Sequence, residues 1–91
     1  MQYTFAKDPD EVLDYSIDWT NELATSETIS TSSWTVVTSG ITKDSDSITG
    51  NFTTVILSGG TAGEEYELVN TIETNQNRTH SKTLVIPVTE Q

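Results

Sequence analysis

The single histidine of this 91-residue chain, His80, is the first candidate for chemistry, and cysteine is absent. General-base work by His80 would need a nucleophile in hydrogen-bond reach and a third group to orient the ring. Serines are plentiful, but none stands in the Gly-x-Ser-x-Gly turn that presents a nucleophile. His80 opens the last extended run on the parity of its core residues, which reads as a strand-end histidine. Asp44 and Asp46 are spaced like the first two ligands of a calcium loop. The glycine at the sixth place and the closing glutamate of such a loop are both missing. Asp8, Asp10 and Glu11 form a second acidic group with no fuller ligand set. Gly59-Gly60-Thr61-Ala62-Gly63 lacks the Gly-Lys-Ser/Thr ending of a phosphate loop and reads as a corner. Without cysteine, disulfides and thiolate metal sites are excluded. Trp19 and Trp34 would make a sugar platform only if exposed, and both fall on core parities. These residue types in these patterns predict no catalytic residue, no metal and no cofactor.

A chain of 91 residues makes one domain with a thin core. With no disulfide or metal to staple it, stability must come from good packing or from assembly with other subunits. Threonine and serine fill close to a third of the sequence, which suits pleated, half-buried surfaces. Apolar content is 33%, low but patterned, which separates the chain from disordered sequences. The formal charge is −10, with only four Lys and Arg. Nucleic-acid phosphates and anionic membrane surfaces would repel it, so neither is expected as a partner. A basic protein surface would attract it. The N-terminus lacks the basic start and apolar run of a secretion signal, and no stretch reaches the length of a membrane span. Cytoplasmic synthesis is the expectation, and the sequons at Asn51 and Asn77 read as chance matches in a threonine-rich chain.

The elements that must position these residues are extended. Residues 1–11 read as an N-terminal arm, with turn chemistry at Lys7-Asp8-Pro9-Asp10, and residues 12–91 as one domain. Leu13, Tyr15, Ile17 and Trp19 alternate with Asp14, Ser16 and Asp18, a strict period of two. Residues 20–27 form a loop or single helical turn carrying Leu23 inward. Ile29 is out of parity with Trp34 and Val36, which predicts a bulge near Ser32-Ser33. Ile41-Thr42 begins a short strand, and residues 43–47 read as a polar connection. Residues 51–58 are a strand in which Val55, Ile56 and Leu57 cannot all face one core, so Val55 or Ile56 is left for another surface. Tyr66, Leu68, Asn70 and Ile72 share the inner face of the next strand, and residues 74–78 form a hairpin loop. Leu84, Ile86 and Val88 point inward on the last strand, whose Pro87 suggests a sheet edge.

Six to seven short strands at this spacing predict an all-β fold, an antiparallel sandwich of the immunoglobulin-like or fibronectin type III-like kind. The expected buried set is Leu13, Tyr15, Ile17, Trp19, Trp34, Val36, Phe52, Leu57, Tyr66, Leu68, Ile72, Leu84, Ile86 and Val88. The segment from Leu57 through the glycines to Tyr66 resembles a tyrosine corner, in which a tyrosine hydroxyl ties down the preceding turn.

Three groups are the candidate partner contacts: Tyr3 and Phe5 on the arm, Val55 and Ile56 from the apolar run, and Asn77 with Arg78 at the loop tip. The blocks Asp14-Tyr15-Ser16-Ile17-Asp18-Trp19, Ser33-Trp34-Thr35-Val36 and Gly40-Ile41-Thr42 occur in that order. Residues 53–63, Thr53-Thr54-Val55-Ile56-Leu57-Ser58-Gly59-Gly60-Thr61-Ala62-Gly63, follow, and then Tyr66, Val69-Asn70-Thr71-Ile72 and Arg78. This pattern is similar to the small structural proteins of tailed bacteriophages described as fibre–tail adaptors, over residues 8 to 88. Such sequences usually carry a glycine before the equivalent of Arg78 and often an aromatic residue at position 56; Asn77 and Ile56 stand here. Asparagine tolerates the left-handed dihedrals that such a glycine adopts. The resemblance implies a non-enzymatic virion component in the tail or neck region. It would join fibres to the tail through protein–protein contacts, in multiple copies within a symmetric assembly. A capsid decoration protein and a host- or carbohydrate-binding immunoglobulin-like module are the alternative readings.

Overall fold

A computed structural model describes residues 2–4 and 12–88. Its strands are β1 (Gln2–Thr4), β2 (Leu13–Asp18), β3 (Ile29–Val36), β4 (Ile41–Thr49), β5 (Phe52–Gly59), β6 (Glu65–Thr74) and β7 (Thr79–Pro87). They form a four-stranded sheet in the order β1-β7-β6-β3 and a three-stranded sheet in the order β2-β5-β4. Every pairing is antiparallel except β1 with β7. The β7-β6-β3 and β2-β5-β4 orders are those of an immunoglobulin-type sandwich, with hairpins inside sheets and crossovers between them. The start of the predicted arm is thus a sandwich strand, with Tyr3 opposite Leu84. Phe5, Asp8, Asp10 and Glu11 lie outside the described residues.

Alternation produces the core. Tyr15, Ile17, Trp19, Trp34, Val55, Leu57, Tyr66, Leu68, Ile72, Leu84, Ile86 and Val88 are all buried between the sheets, with Leu13, Leu23, Ile29 and Val36 packed at its margin. Phe52 is the exception to the expected set, at 46% exposed. It stands on the opposite parity to Val55 and Leu57, so once those two turn inward Phe52 must face out. By the same rule Val55, expected as surface, is fully buried, and Ile56 alone of the apolar run looks outward.

Three local expectations are corrected. The polar connection at residues 43–47 is part of the nine-residue strand β4, exposed after Ile41 because it forms a sheet edge. The bulge in β3 falls between Ile29 and Thr31, earlier than Ser32-Ser33. A single extra residue, Ser30, restores the parity of Ile29 with Trp34. Strand β7 is not an edge, since β1 pairs with it at Thr83–Val85. Pro87 is tolerated because Val88 donates its amide to Glu64 on the β6 side, so the proline nitrogen faces away from that ladder.

The tyrosine corner is present: the Thr61 amide donates to the Tyr66 hydroxyl at 2.9 Å. Two glycines of positive φ make room for the ring. A Cβ on Gly40 (φ +115) would sit 3.0 Å from Tyr66 Cε1, and one on Gly60 (φ +96) would sit 2.8 Å from Val88 Cγ2. Tyr66→Phe keeps the packing and removes the acceptor. We expect a loss of about 0.5–1.5 kcal/mol in urea denaturation, and unchanged stability would reduce Tyr66 to a packing residue.

Candidate functional site

Among the described residues, the groups that could do chemistry do not converge. His80 is half-buried with its ring tilted 44° to Trp19 at a centroid distance of 6.4 Å, and its Nε2 is buried without a hydrogen-bond partner. Asp44 and Asp46 sit on the β4 edge, where Asp44 accepts from Ser58 and Asp46 pairs with Lys43 at 2.7 Å. Among the described residues, no group of His, Asp and Glu could hold a metal, and no pocket opens.

The polar convergence is internal. Trp19, fully buried just after β2, donates its Nε1 to Thr53 Oγ1 at 2.9 Å and to Asn70 Oδ1 at 3.2 Å. Thr53 donates to the same Asn70 oxygen. The Asn70 amide donates to Ser32 Oγ and to the Ser33 carbonyl, both at 2.9 Å. Thr53 belongs to one sheet and Asn70 to the other, so the network spans the core and ties the layers at one register. Lys82 is buried beside it on β7, with Nζ 4.7 Å from the Trp19 ring centroid. That ammonium donates to the Asp18 carbonyl and pairs with Glu22 at 2.9 Å. Sequence reading missed Lys82, although its parity with Leu84 and Ile86 marks it as inward-facing.

A second polar cluster joins the loop before β3 to the β6–β7 hairpin. Glu27 is buried, accepts from the Ala24 amide and the Thr74 hydroxyl, and lies 3.6 Å from Arg78. Asn75 accepts from the Thr28 amide and donates to the Ser26 carbonyl. Ser26 and Asn77, the described non-glycine residues with positive φ, both lie here. Asn77 thus takes the left-handed conformation that asparagine tolerates.

The Ala24 amide first, then the Thr74 hydroxyl and the Arg78 guanidinium, hold the Glu27 carboxyl below the ordinary 4.5. A lowered folded pKa contributes stability that is present above the unfolded value and lost as pH falls through the folded one. The melting-temperature gap between wild type and Glu27→Gln should be full at pH 7 and should close as pH drops below 4.5. A gap independent of pH in calorimetric scans would rule out this role for the carboxylate.

The surface is anionic and unbalanced. Lys43, Arg78 and Lys82 each pair with a carboxylate, while Asp14, Asp18, Asp44, Glu64, Glu65, Glu67 and Glu73 make no ion pair among the described residues. On the outer face of β3, β6 and β7, short hydroxyls share the surface with Val69 and the buried Val85; Thr71 is bonded to Ser81, and Glu65, Glu67 and Glu73 stand along β6. The outer face of the three-stranded sheet has Phe52 and Ile56 on β5, flanked by Asp18 and Asp14 on β2. Of the predicted contact residues, Ile56 is on this face, Asn77 and Arg78 are exposed at the hairpin end, and Val55 is in the core. Ile56 thus stands on a sheet face and Asn77 and Arg78 at a hairpin end, two separate parts of the described surface.

No curated protein matches the chain. A family model described as podophage GP4 fibre-tail adaptor protein gp77 matches residues 7–87.

Proposed function

The chain belongs to this podophage fibre-tail adaptor family, and on that premise we propose that it joins fibres to the tail or neck of the virion by protein–protein contacts alone. The match across nearly the whole domain carries this reading. Membership makes the protein a structural adaptor of the phage tail. The finer assignment is that several copies surround the tail, each contacting tail machinery at one part of the surface and a fibre at another. The fold supports it in two ways. The loop end is pre-ordered by Glu27 and Asn75, so contacts made there lose little conformational freedom. The unbalanced carboxylates suit basic partner surfaces and disfavour nucleic acid.

The test mixes the purified chain with tail and fibre proteins of the same virion and measures complex mass by native mass spectrometry. A ternary complex is expected. Its affinity should weaken as salt rises, because exposed charge pairs are screened. Binding to neither protein, with retention on a glycan array, would replace the adaptor reading with a host-binding one.

A further inference from the structure

We propose that the outer face of the β2-β5-β4 sheet docks a basic partner protein through two side-by-side pairs, Phe52 with Asp18 and Ile56 with Asp14. The proposal rests on the adaptor reading above and names the surface and the partner chemistry.

The register defines the face. On β5 the outward residues are Phe52, Thr54 and Ile56; opposite them on β2 stand Asp18, Ser16 and Asp14. On the other flank, β4 offers only Thr49, Ser47 and Ser45. Phe52 and Ile56 therefore rise above short hydroxyl neighbours, about 13 Å apart along the strand. Each has a carboxylate as its direct cross-strand neighbour, at roughly 5 Å between Cβ atoms. Thr54 and Ser16 bond each other between the two pairs at 2.8 Å and occupy one another's hydroxyls.

An apolar surface beside a carboxylate fits the side chain of lysine or arginine. The aliphatic stem lies on the apolar group and the cationic head meets the carboxylate, with the Phe52 ring face adding attraction for the cation. Asp18 is fixed for this role. Its Oδ1 accepts from the Thr20 amide and hydroxyl, and the hydroxyl and then the amide hold its carboxyl below the ordinary 3.8. The outward positions of β2, β5 and β4 opposite these pairs carry no lysine or arginine; Lys82, the cation that acts on Asp18, is buried in the core and paired with Glu22. A second copy of the chain is a poor occupant, because it would set Asp14 and Asp18 against like charges in a molecule of formal charge −10. On the other sheet, the outward positions of β3, β6 and β7 carry no aromatic side chain.

The experiment compares wild type with the triple variant Asp14→Asn, Asp18→Asn and Phe52→Ser, all solvent-facing positions, after thermal unfolding verifies that the variant folds. Affinities for the tail protein and the fibre protein are measured separately over a range of salt. We expect the variant to lose about tenfold or more for one partner and to retain the other. The salt dependence for the affected partner should flatten. Unchanged affinity for both overturns the proposal. If wild type binds neither, the adaptor reading fails by itself. The face is then judged with a probe peptide carrying arginine at both ends of a threonine–valine–threonine spacer. Amide shifts in the isotope-labelled protein concentrated at residues 14–18 and 52–56 uphold it. Shifts scattered over the acidic surface, or none, overturn it.

Discussion

Trp19→Ala is expected to lose about 4–8 kcal/mol of stability, a large share of what the domain holds. Truncating a fully buried tryptophan costs about 3–5 kcal/mol through lost transfer energy and the cavity left behind. Here the loss is compounded. Trp19 Nε1 is bonded to Thr53 and Asn70, and both of those side chains are themselves fully buried. Weakening their network adds about 1–3 kcal/mol. Lys82 also loses the ring beneath its ammonium. A domain of 91 residues holds only about 5–14 kcal/mol in total, so a loss of about 4–8 kcal/mol removes a large share of it and unfolds the domain if its total lies in the lower part of that range. Trp19→Phe keeps a ring in the cavity and removes the indole donor, for an expected loss of about 1–3 kcal/mol. Urea denaturation followed by near-ultraviolet circular dichroism reads both. A folded Trp19→Ala with less than about 2 kcal/mol lost would mean that the network does not couple the sheets.

The second large effect is at Lys82. Lys82→Ala should cost about 3–5 kcal/mol, the usual penalty for removing one partner of a buried ion pair. The lower end applies, because the Glu22 side chain keeps 25% of its exposure and water recovers part of its solvation. Lys82→Met with Glu22→Gln should recover most of the loss, since the stem still covers Trp19 and no uncompensated charge remains. A double-mutant cycle on chemical denaturation separates the terms. If the double variant is no more stable than Lys82→Ala, the ammonium acts through Trp19 and the Asp18 carbonyl and not through Glu22.

Much of the sandwich was legible locally. The period of two in β2 and β6, the glycine corner before Tyr66 and the loop before Thr79 are short-range signals, and strand pairing preserved them. The misplacement of Phe52 was avoidable, since residues 52 and 57 cannot share a face of a regular strand. Strand β4 was not legible. Lys43 to Ser47 has no apolar alternation, and those residues are extended because β5 offers them a ladder. Glu27 carried no sign of burial either, because its partners at Thr74 and Arg78 lie more than forty residues away in sequence.

By itself the sequence determined an all-β, acidic, cysteine-free domain with a tyrosine corner and a resemblance to fibre–tail adaptors. Those properties depend on composition, parity and short motifs, which the chain carries wherever it folds. The tertiary structure alone decided which polar groups enter the core and which apolar groups leave it. Trp19, Thr53, Asn70 and Lys82 meet because the two sheets stack in one register, and Phe52 and Ile56 acquire their aspartate neighbours because β2 pairs with β5 at one offset. Cross-strand neighbours are set by register, and register is a property of two segments together that neither one encodes alone.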